Sequence, residues 1–78
     1  MVGDVEIVFS DSEHRLLAAL MQRAGHVVSK RSLLVEVWGD AGGDAHTVEV
    51  AVARLRRRLG AHSEAIGSVR GRGYVLRE

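Results

Sequence analysis

Between Asp44 and Gly60 the chain carries one unbroken helical pattern, in which Val48, Val52, Leu55 and Leu59 recur four, three and four residues apart. At about 3.6 residues per turn that spacing gathers all four on one stripe, which has to be buried against other elements. The pattern predicts a helix from Ala45 or His46 to Leu59, with Asp44 as its N-terminal cap and Gly60 as its stop. Removing the buried stripe leaves His46, Thr47, Val50, Arg54 and Arg57 near one outer face, with Glu49, Ala53 and Arg56 beside them. That outer face is small at its start and basic at its end.

The partners for the stripe lie upstream. Ser10 with Glu13 three residues later has the signature of a capping box, and Leu16, Leu17, Leu20, Met21 and Ala24 follow at helical spacing. A first helix is therefore expected over Asp11–Ala24, stopped by Gly25. His26, Val27 and Val28 form a brief extended link, and Ser29 offers the cap for a second helix over Lys30–Trp38, with Leu33, Leu34, Val37 and Trp38 as its stripe. GDAGGDA at 39–45 is turn chemistry without apolar content and reads as a loop. Upstream of the first helix, Val5–Phe9 (VEIVF) reads as one short strand. Downstream of the third, Ile66–Val69 and Tyr74–Arg77 read as two strands joined by Arg70, Gly71, Arg72 and Gly73, a hairpin with both turn arginines pointing outward.

Charge is sorted along the chain. Residues 1–53 carry four basic against eight acidic groups, net −4, whereas residues 54–78 carry seven against two, net +5, so the formal total of +1 conceals a polar molecule. A basic face of this kind points to a polyanionic partner, with nucleic acid foremost. Ten of the eleven basic residues are arginine, whose planar fork suits phosphates and base edges. The 46% apolar content exceeds that of disordered chains, and no apolar run approaches the roughly 18 residues of a membrane span. There is no cysteine, and MVGDVEIVFSD lacks the regions of a signal peptide, so a reducing cytoplasm is the expected compartment. His14, His26, His46 and His62 are scattered without ligand spacing. Neither a metal site, a cofactor, a small-molecule ligand nor an enzymatic centre is expected.

Two helices, a third with an outward basic face, and an arginine-tipped hairpin follow one another in the order of a winged helix-turn-helix. The fold class expected is mainly α with a small β component. Four stretches carry a resemblance: FSDSEHRLLAAL is similar to LTxxExxLL, VVSKRSLLVEVWG to VVSRxxLLxxVWG, HTVEVAVARLRRRLG to RTVDVHIxRLRxKL, and SVRGRGYVL to TVRGxGYxL. These are the motifs of the OmpR/PhoB-type DNA-binding output domains of bacterial two-component response regulators, and the resemblance runs from residue 8 to 77. It implies sequence-specific binding of double-stranded DNA for transcription regulation. Arg54 falls where the family reads a base, Val50 where an apolar side chain meets a thymine methyl, and Arg70 where a wing arginine enters the minor groove. Trp38, His46, Thr47, Arg56, Ser68 and Tyr74 fall on positions of backbone contact, and Arg57, Arg58 and Arg72 supply general basic field.

The chain departs from the family where His46 replaces arginine, Glu49 aspartate, Ala51 histidine, and Ala53 a residue that is often polar. These changes are expected to thin the DNA face. RNA polymerase and a second copy in tandem on DNA are further partners the resemblance brings, although the 39–45 loop is shorter than the family's and lacks its bulky residues. Family domains open with a four-stranded sheet, of which only Val5–Phe9 has a counterpart, so residues 1–78 are expected to form a single domain from the C-terminal part of a larger protein. The other reading is a winged helix used for protein contact, or a vestigial regulatory module fused to another domain, an enzyme included. Several featured residues also have plain structural roles open to them. Trp38 and Tyr74 could be core, and the Arg54–Arg58 run a solvated face or a membrane-surface helix.

Overall fold

The computed structural model describes residues 9–39 and 42–77. The expected strand over Val5–Phe9 lies outside them except for Phe9, which packs against the core. Helix α1 runs over Asp11–Gln22, α2 over Lys30–Trp38 and α3 over Ala45–Leu59; a 3-10 turn over Gly60–Ala65 leads into strand β1, Ile66–Val69, and strand β2 covers Gly73–Leu76.

Each helix starts where its cap predicts. The Ser10 hydroxyl accepts the Glu13 N–H at 3.2 Å, while the Ser10 N–H donates to Glu13 Oε1 at 2.9 Å. Ser29 Oγ accepts from Ser32 N–H at 3.0 Å. Asp44 Oδ1 accepts from the amides of His46 and Thr47, and Thr47 Oγ1 accepts in return from the Asp44 amide. Satisfying these otherwise orphaned groups defines each entry angle.

Two elements differ in their bounds from expectation, α1 at its end and β2 by a one-residue shift to Gly73–Leu76 from Tyr74–Arg77. α1 stops at Gln22 rather than Ala24, because the amides of Arg23 and Ala24 tighten onto Leu20 and Met21 carbonyls and the chain then swings through Gly25 at φ 86°. The swing brings the Gly25 N–H within 2.8 Å of the Leu76 carbonyl. β2 likewise begins one residue early, at Gly73. β1 and β2 pair antiparallel with Ser68 opposite Tyr74 and Ile66 opposite Leu76. The extended link after α1 joins them: Val28 N–H donates to Tyr74 O at 2.7 Å and Tyr74 N–H to Val28 O at 3.0 Å. β2 thus lies between Val28 and β1, which is the edge among the described residues.

The core sits where the three helices meet β2. Leu16 and Leu20 from α1, Leu33 and Val37 from α2, and Val48, Val52 and Leu55 from α3 are buried. Leu59, expected in the same stripe, packs half-buried at its rim. Ala51, counted among the departures that thin the outer face, is only 6% exposed and belongs to the core. It completes a spacing of 48, 51, 52, 55.

Candidate nucleic-acid interface

α3, about 22 Å long by its 15 residues, presents a graded outer face. His46 is 79% exposed, Val50 is half-buried, and Arg54 and Arg57 are exposed. Thr47 is half-buried because its hydroxyl closes the capping box. Beside this face runs a groove of about 290 Å³ lined by Ser10, Ser12, Glu13, Trp38, His46, Thr47, Val50, Ala51 and Arg54. Five expected site residues, Trp38, His46, Thr47, Val50 and Arg54, therefore share one cleft. Trp38 packs partly buried against the core and also lines the groove.

Glu13 lies at the base of this cleft, 3% exposed, and was not expected as a site residue. Its Oε1 accepts from Ser10 and faces Arg58 Nε at 3.5 Å. The signal was present in the sequence, since Glu13 continues the apolar stripe of Leu16, Leu17 and Leu20 and a carboxylate on such a stripe calls for a cation opposite. Arg58, read as general field, is turned onto α1 by this contact. Arg54, Arg57, Arg70 and Arg72 have no carboxylate within ion-pair distance among the described residues, so their charge is available to an outside anion.

Glu49, at the front of α3, is neutralised within the domain. Lys30 Nζ reaches its Oε2 at 2.7 Å, tying α2 to α3, and His46 Nδ1 lies 3.8 Å from its Oε1. The hydrogen bond and charge of Lys30 hold the Glu49 carboxyl below its ordinary pKa, and the same hydrogen bond holds Lys30 above the usual amine value. The stabilisation linked to Glu49 is present above the unfolded carboxylate pKa and is lost as pH falls through the depressed folded value. That linked to Lys30 is present below the usual amine pKa and is lost as pH rises through the raised one. Water screens both groups, so the contribution is small. A carbon-detected NMR titration should find Glu49 titrating below an ordinary glutamate and returning toward it in Lys30→Met; an identical titration in both proteins would contradict the pairing.

The hairpin projects Arg70 and Arg72 into solvent, with Gly71 at φ 76° and Arg72 N–H bonded to Val69 O at 2.9 Å. Ser68 is exposed on β1. Tyr74, 6% exposed, has taken the core role: Lys30 Nζ and the Arg56 guanidinium lie 5.9 and 5.8 Å from its ring centroid. Arg56, expected at a phosphate, turns inward, with Nε and Nη2 donating to Ile66 O and Nη2 also to Ser68 Oγ at 2.9 Å.

Three packed helices whose third carries the outward face, closed by a two-stranded wing, define a winged helix-turn-helix domain. No helix among the described residues is long and apolar enough to cross a membrane. Residues 4–76 match the family described as "Transcriptional regulatory protein, C terminal", and the chain belongs to that family of OmpR/PhoB-type DNA-binding regulator domains, which are not enzymes. It is 35% identical over 78 residues to the transcriptional regulatory protein PhoP of Escherichia coli, a match covering 96% of this chain and 35% of PhoP. It thus spans about a third of that relative's length. Among solved structures, the C-terminal domain of the nisin resistance regulator NsrR superposes with TM-score 0.82 at 35% identity, covering 100% of this chain and 82% of that one. The RstA DNA-binding domain of Klebsiella pneumoniae, solved in complex with the RstA box, gives TM-score 0.80 at 28% identity, with 99% and 80% covered.

Proposed function

We propose that the domain binds double-stranded DNA sequence-specifically to regulate transcription, with α3 in the major groove and the wing at the minor groove. The observation that carries this reading is the cleft that gathers Trp38, Thr47, Val50 and Arg54, together with a wing tipped by Arg70 and Arg72, which are exposed and without a carboxylate partner among the described residues. A helix about 10–12 Å across matches the width of the B-form major groove. Val50 and Arg54, one turn apart on one face, meet base edges, the first through apolar contact and the second through its fork. Arg70 enters the minor groove. Trp38, His46, Thr47, Ser68 and the Tyr74 hydroxyl touch sugar-phosphate and set the register, while Arg57 and Arg72 contribute field. The capture of RstA with its DNA box supports this partner.

The domain acts in the cytoplasm as the C-terminal part of a longer regulator, which matches its span of 35% of PhoP. Tandem copies on DNA and RNA polymerase are the further partners this reading admits. A protein-contact role is favoured by one observation, the exposed Ala53, which leaves the middle of α3 without a donor.

Titration of the domain with duplex selected from a random library decides between them. Binding should fall steeply as salt rises, with log affinity linear in log salt concentration. No binding even near ~50 mM salt would favour protein contact. Arg54→Ala should cost about 1–3 kcal/mol on the selected site and relax preference at one position, because a base-reading fork is lost. An equal loss on all sequences would mean that Arg54 reads no base.

A further inference from the structure

Arg56 is the one arginine of the 54–58 run whose guanidinium is bonded to main chain. Nε and Nη2 converge on the Ile66 carbonyl at 3.2 and 2.8 Å, Nη2 also meets Ser68 Oγ at 2.9 Å, and the group lies over the Tyr74 ring. Ile66 and Ser68 are two apart on β1 and so share its face. Gripping both defines the roll of the hairpin about its long axis. β2 is held by the backbone bridge from Tyr74 to Val28 in the link between α1 and α2, whereas among the described residues β1 is the edge strand. Besides the burial of Ile66 in the core, this guanidinium ties β1 directly to α3. Ser68 stands two residues before Arg70, so the angle at which β1 leaves Arg56 determines where the wing arginine emerges. The Ser68 hydroxyl, accepting from Arg56, keeps its own proton free to donate outward.

We propose that Arg56 is a positioning residue that aligns the wing with α3, so that Arg70 and Arg54 can engage one duplex together, and that it makes no phosphate contact of its own. This rests on the DNA-binding reading. Lysine separates the two roles, because an ammonium keeps a point charge for a phosphate but cannot fork two acceptors.

The test compares the wild-type domain with Arg56→Lys, Arg70→Ala and Arg54→Ala, and with Arg56→Lys combined with each alanine variant. Affinity is read by fluorescence anisotropy on a duplex selected by the wild type. Arg56→Lys and Arg70→Ala should each weaken binding about tenfold, the double variant of these two should be no weaker than either alone, and Arg56→Lys with Arg54→Ala should multiply. Wild-type affinity in Arg56→Lys, or losses that multiply with Arg70→Ala, would overturn the proposal in favour of a phosphate contact or an unrelated role. Residual dipolar couplings of the DNA-free domain give a second readout: in Arg56→Lys they should change over residues 66–76 while those of α1, α2 and α3 stay. Unchanged wing couplings overturn the proposal, whereas a wild type that binds no duplex, with wing couplings that do change, overturns only the DNA reading. Should Arg56→Lys fail to fold, Arg56→Gln, whose carboxamide still donates to one acceptor, is measured in the same way.

Discussion

Leu55→Ala should lower the melting temperature by at least about 8 °C and leave DNA binding measurable only in the cold. Leu55 is fully buried in the middle of α3, with Val48, Ala51 and Val52 on the same stripe and α1 and α2 packed against it. Truncating such a leucine costs about 2–5 kcal/mol, from lost transfer energy and from the cavity that neighbours fill incompletely. At roughly 0.05–0.15 kcal/mol per residue, a domain of 78 residues has a margin of about 4–12 kcal/mol, so the loss is a large share of it. In a domain this size each kcal/mol moves the midpoint by about 4–8 °C. Thermal melting followed by circular dichroism at the helix band measures it, with Leu59→Ala as the comparison. Leu59 is half-buried at the rim, so its truncation should cost clearly less. Equal melting of Leu55→Ala and wild type would mean that α3 buries a different face.

Gly73→Ala should be nearly as damaging, for a reason that lies in the backbone. A Cβ at Gly73 would stand 2.0 Å from the Val28 carbonyl oxygen and 2.8 Å from Ser29 Cα, and the residue sits at φ 143°. Neither contact can be relieved by turning a side chain, so Val28 and β2 must separate, and both hydrogen bonds between Val28 and Tyr74 go with them. Backbone strain alone costs about 1–3 kcal/mol, and the lost pairing adds to it. Gly71→Ala is the control: its Cβ meets nothing within 4 Å, leaving only the strain of φ 76°, about 1–2 kcal/mol. Amide exchange at Val28 and Tyr74 should become fast in Gly73→Ala and remain slow in Gly71→Ala. Slow exchange in both would show that the strands can part and re-form around a methyl group.

These two positions differ in how visible they were in the sequence. Leu55 announced itself by spacing, and Ser10, Ser29 and Asp44 by cap chemistry, because those signals act within one or two helical turns. The helix spans and the wing followed from them, as did the shared outer face of His46, Thr47, Val50 and Arg54, whereas Trp38 joined that group only through the family resemblance. What escaped were contacts between distant segments. Gly73 was read for its turn conformation, whereas its tightest constraint is the approach of Val28. Arg56 was read by position as a phosphate donor, and nothing local indicates that its fork closes on β1. Ala51 is a different case, since its spacing with Val48, Val52 and Leu55 already placed it inward, and it is buried while still lining the groove beside the outer face. Buried Glu13 too lay on a visible stripe, and a cationic partner such as Arg58 could have been sought.

The bridge between Val28 and Tyr74 joins the link after α1 to β2, far apart in sequence, while every helix is closed by contacts a few residues apart. Short-range contacts form at little entropic cost, whereas this one must close a loop containing α2 and α3. Among the described residues the wing is therefore the last element to be captured during synthesis. A nascent chain halted before Tyr74 already contains the whole of α3 but lacks the β2 half of the clasp, so the wing can be fixed against Val28 only once β2 has emerged.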